Sequence, residues 1–82
     1  MSQKIMLPMA ASAGRDYAVT WTEQLALAGK YGMTIEAVRS VLSDLCELMI
    51  TGVIQPQKTG NKTKATIASH FERSNATERQ GA

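Results

Sequence analysis

Two amphipathic runs separated only by Gly32, Met33 and Thr34 constrain this chain more than any other feature. Glycine ends a helix in the left-handed conformation at little cost, and a threonine hydroxyl accepts from the free amides of a new first turn. The spacing therefore predicts a helix over "EQLALAGKY", capped by Thr20 or Thr22, with Leu25, Leu27 and Ala28 on one side. A second, longer helix opens at Thr34 and stops at Gly52. In that second run Ile35, Val38, Leu42, Leu45 and Met49 recur at helical spacing, flanked by Val41, Cys46 and Leu48. This is a core-facing stripe. Arg39, Ser40, Ser43, Asp44 and Glu47 lie round the other side and face water or a partner.

Around this pair the chain is punctuated more weakly. Pro8 just inside "PMAASAG" and Gly14 at its end predict a brief first helix. Residues 16–21, "DYAVTW", mix aromatic and β-branched residues over a length that suits one strand, with Trp21 either packed between strand and helix or exposed as an anchor for a partner. The segment "VIQPQKTGNKTKATIAS" is expected as a hairpin: strands at residues 53–57 and 63–68, and a tip at 58–62, where Gly60 and Asn61 tolerate positive φ. Beyond Ser69 the chain turns polar and is expected to fray as a tail over residues 70–82, with Phe71 its only candidate anchor.

Length and composition narrow the function classes. At 82 residues there is room for one modest core and not for an enclosed active site as well. The single Cys46 excludes an internal disulfide framework and a multi-cysteine zinc site, which fits a reducing cytoplasm, and it reads as a small buried hydrophobe. The apolar run near the start is broken by Pro8, so neither a signal peptide nor a membrane segment is expected. His70 stands alone in a polar stretch, and no paired carboxylates or Ser/His/Asp set can be placed in one cleft. No enzyme activity, metal or cofactor is expected. The segment "MSQKIMLPM" carries more apolar residues than a free tail needs, which suggests a dimer contact.

The stretch "QLALAGKYGMTIEAVRSVLS" places small Ala28 four residues before Gly32, with Val38 and Val41 facing the core. With "VIQPQKTGNKTKATIA" after it, the chain resembles the winged helix-turn-helix family of small bacterial, plasmid and phage regulators, in a layout similar to pilus-operon regulators of the FaeA and PapI type. The resemblance implies an α+β fold of three helices and a small antiparallel β-hairpin wing, in a single domain over residues 1–69. It implies double-stranded DNA as partner and a helix at about residues 34–51 in the major groove. Thr34, Glu36, Ala37, Arg39, Ser40 and Ser43 are then the groove positions, with Arg39 donating its planar fork to guanine. Lys30 would engage phosphate. Lys58, Asn61, Lys62 and Lys64 would form a wing on the DNA backbone or minor groove.

Charge divides along the chain. Residues 34–52 hold one base, Arg39, against Glu36, Asp44 and Glu47, a net −2, whereas residues 53–69 hold Lys58, Lys62 and Lys64 and no acid, a net +3. An acidic helix facing a polyanion is unfavourable, and a whole-chain charge of +2 gives a monomer little hold on DNA, so a homodimer or a helper protein is implied. The rival expectation is a protein-interaction module that docks through Glu36, Ser40, Asp44 and Glu47.

Overall fold

The computed structural model describes residues 3–81, and the side chains of residues 3–75. The elements in chain order are strand β1 (Ile5–Leu7), a 3-10 turn (Ala11–Ala13), strand β2 (Tyr17–Val19), and helices α1 (Trp21–Tyr31), α2 (Ile35–Ile50) and α3 (Gly60–Gly81). The architecture is α+β: three helices and one two-stranded antiparallel hairpin, with Ile5 opposite Val19 and Leu7 opposite Tyr17.

The helix pair forms as its caps dictate. Thr20 accepts from the Glu23 amide at 3.2 Å and opens α1. Gly32 closes it at φ +62°, with the Gly32 and Met33 amides both returned to the Ala28 carbonyl. Thr34 then accepts from the Ala37 amide at 3.1 Å and opens α2. Of the expected stripe, Val38, Leu42, Leu45 and Met49 are buried and Ile35 is half-buried. Val38, Leu42, Leu45 and Met49 meet Leu7 and Val19 from the hairpin and Ile67 and Phe71 from α3 in one core. Trp21 stands at the first residue of α1 and is 39% exposed, so it is a rim residue and not the expected filler between strand and helix.

Several expectations are corrected. Residues 53–68 do not form a hairpin wing: residues 51–59 are an irregular connector and α3 begins at Gly60. The Thr59 hydroxyl accepts from the Lys62 amide at 3.2 Å, which makes the would-be tip a helix cap, and Gly60 is not among the glycines with positive φ. A period of four then decides the matter, because Thr63, Ile67 and Phe71 repeat on one face and all three are buried. Second, the hairpin lies at the other end of the chain, where the N-terminal segment supplies β1 and buries Leu7 against α2. Of its described apolar residues, Leu7 is in the core and Ile5 packs against it, while Met6 is 42% exposed. The brief first helix is reduced to the 3-10 turn, closed by Gly14 at φ +81°. Residues 70–75, expected as tail, continue α3, and Phe71 stacks on Tyr31 with ring centroids 5.5 Å apart.

Candidate nucleic-acid interface

The residues nominated for DNA separate into two groups. On α2, Glu36, Ser40 and Ser43 are exposed, together with Asp44 and Glu47. Thr34 and Ala37 are engaged with each other in the cap. Arg39 is turned away from the outer face: its Nη1 donates to the Gln24 Oε1 at 2.7 Å and to the Gln3 carbonyl at 2.7 Å. Gln24, fully buried, completes this junction by donating from Nε2 to the Gln3 carbonyl at 2.8 Å and the Val19 carbonyl at 3.1 Å. One amide and one guanidinium thus join α1, α2, β2 and the segment leading into β1. A buried polar group needs such partners, and sequence reading gave no sign that Gln24 was one.

The second group gathers around the start of α3. Lys58, Asn61, Lys62 and Lys64 are all exposed there, Lys58 just before the helix and the others on it. Lys62 borders a cleft of about 380 Å³ between α3 and the connector, with Ile54, Gln57, Thr66 and Ser69. Lys58 borders another, beside β2, with Arg15, Asp16 and Gly60. Lys64 shares a shallow groove between α1 and α3 with Lys30 and Tyr31, so Lys30 joins the lysine group and not the α2 group.

The connector holds this surface in place. The Ile54 amide donates to the Leu48 carbonyl at 3.1 Å, and the Ala10 amide donates to the Gln57 carbonyl at 2.8 Å. Gly52 takes φ +83° to turn the chain away from α2. The ring of Tyr17 lies beside Gly60, where an added Cβ would meet it at 3.7 Å.

Two titratable groups mark how closely the elements approach. Burial, a hydrogen bond to the Glu23 Oε2 at 2.9 Å and that carboxylate's charge push the Tyr17 phenol up to about 12. His70 is held below the usual imidazole range, first by burial and then by the Arg73 charge, against a smaller opposing pull from Asp44. His70 therefore sits where α2 and α3 meet. Among the described residues no helix is long and apolar enough to cross a membrane. Comparison with protein-family models, curated proteins and solved structures finds no match for this chain.

Proposed function

We propose that the chain is a small cytoplasmic regulator of the winged helix-turn-helix kind that binds double-stranded DNA and acts by occupying a site. The observation that carries this reading is the exposure of Lys58, Lys62 and Lys64 around the start of α3, within residues 51–71, which contain no Asp or Glu, although Asp16 lines the cleft beside Lys58 and Glu23 the groove beside Lys64. Lysines so placed can neutralise phosphates and release condensed counterions, the main source of affinity for duplex DNA. The α1–turn–α2 unit and the hairpin are parts such regulators use, although here the hairpin precedes the helices. Because the net charge is only +2, a second copy or a helper protein would strengthen the hold.

The test is binding of a fluorescent duplex to wild-type protein and to the Lys58→Ala, Lys62→Ala, Lys64→Ala triple variant, from about 50 to 200 mM salt. Wild-type affinity should fall steeply with salt, and the variant should lose roughly two to three units of the log–log slope, about 0.9 per phosphate contact. Absence of binding at the lowest salt, or equal affinity of the two proteins, would overturn the reading.

A second reading has one observation of its own. Arg39 is committed to Gln24 and Gln3, which leaves Glu36, Asp44 and Glu47 on the outer face of α2. That face suits a basic protein partner.

A further inference from the structure

Resting on the DNA-binding reading, we infer that α3, and not α2, is the helix that enters the major groove, with Asn61, Ala65 and Ser69 against the base edges. On α2 the inward face is core, and Arg39 and Cys46 flank it on the side held by the N-terminal segment. What remains exposed is Glu36, Ser40, Ser43, Asp44, Glu47 and, at the end of the helix, Ile50. A groove walled by phosphates repels that face, and the one cation in the run already has its Nη1 occupied.

The outer face of α3 has the opposite character. Thr63, Ile67 and Phe71 are buried at intervals of four, so positions two residues away project outward by about 200° of helical rotation. Those positions are Asn61, Ala65 and Ser69, all exposed. Ala65 and Ser69 are small enough to let the helix backbone approach base edges. The Asn61 amide can pair with adenine N6 and N7, the Ala65 methyl can meet a thymine methyl, and the Ser69 hydroxyl can donate or accept. Lys58 and Lys62 stand beside this row and would meet phosphates, and no acid appears before Glu72. The Lys62 and Thr63 amides are already bonded to Thr59, so recognition falls to side chains along three turns and not to free donors at the helix start.

The connector is bonded to Leu48 of α2 and to Ala10, and the Tyr17 ring lies beside Gly60 where α3 begins. The loop before β2, with Arg15 and Asp16, stands beside Lys58 in one cleft. The hairpin is thus placed to flank the same duplex.

The experiment uses the full chain, isotopically labelled, with a mixed-sequence duplex at about 50 mM salt, followed by selection of preferred sites from a randomised duplex pool. Amide shifts over residues 58–69, with residues 36–47 unmoved, are the expected result. Asn61→Ala should then lose roughly 5- to 150-fold in affinity for the selected site while keeping its affinity for the mixed duplex. Ser40→Ala with Ser43→Ala should leave both unchanged. If wild-type protein binds but the shifts fall on residues 34–43, or if the Ser40 and Ser43 pair alters the preference and Asn61 does not, α2 is the reading helix and the inference is wrong. Failure to enrich any sequence would remove base reading by α3 while leaving backbone binding intact. No binding of the mixed duplex at all would sink the DNA reading itself.

Discussion

Tyr17 shows at the scale of one residue how the hairpin is fastened to the helices. Its hydroxyl donates to Glu23 in the first turn of α1, while its ring lies beside Gly60 at the start of α3. Burial is the largest cause of its raised pKa, ahead of the hydrogen bond and the charge of Glu23. A phenol with its folded pKa raised from 10.0 to about 12 holds its proton more tightly in the folded state. Its contribution to stability is therefore complete below pH 10 and disappears as pH rises from 10 through about 12. In a Tyr31→Phe background, near-ultraviolet absorbance should place the Tyr17 midpoint well above 10. Glu23→Gln should lower that midpoint without bringing it back to 10, because burial persists. A full return to the ordinary value would mean that the carboxylate, and not burial, dominates.

At the scale of the element, α3 is tested by its first residue. In a hairpin tip Gly60 would need positive φ, and alanine there would be strained by about 1–2 kcal/mol. In the first turn of a helix, alanine instead stabilises by about 0.4–1 kcal/mol, mainly by restricting the unfolded chain. The new Cβ would make ordinary contact with the Tyr17 ring at 3.7 Å. Gly60→Ala should therefore raise the midpoint of thermal unfolding by a few degrees, and a fall would restore the hairpin reading. That α1 and α2 were readable in the sequence, and α3 was not, has a physical cause. The caps at Thr20 and Thr34, the left-handed Gly32 and the Val38–Leu42–Leu45–Met49 stripe all agree locally. In "KTGNKTKATIASHF" the Gly-Asn pair and the β-branched residues favour a turn and a strand, and only the Thr63–Ile67–Phe71 period and the Thr59 cap argue for helix. Burial of Phe71 against Tyr31 overrides the local preference. The same holds for the site: the lysines were visible as charge, but Arg39 looked available because its partners, Gln24 and Gln3, are brought to it only by the tertiary fold.

For the whole molecule, the N-terminal segment contributes to both the core and the Gln24–Arg39 junction. Leu7 is fully buried, and the Gln3 carbonyl receives bonds from both Gln24 and Arg39. Losing the burial of one leucine side chain costs about 1.5–3 kcal/mol. The two bonds to the Gln3 carbonyl contribute about 0.5–1.5 kcal/mol each, although Gln24 keeps its bond to Val19 and Arg39 its bond to Gln24, and the pairing of β1 with β2 is lost as well. A domain of 82 residues has a total stability of only about 4–12 kcal/mol. Deleting residues 1–7 should therefore abolish the cooperative thermal transition seen by circular dichroism at neutral pH. If the segment served chiefly as a dimer contact, the shortened chain would instead keep its helical spectrum and sediment at half the original mass. A folded shortened chain would also remove the support for the Gln24–Arg39 junction, and would free Arg39 to turn outward on α2. On the proposed DNA-binding reading the deletion thus also bears on which helix would face the duplex, because the inward commitment of Arg39 leaves Glu36, Asp44 and Glu47 unopposed on α2.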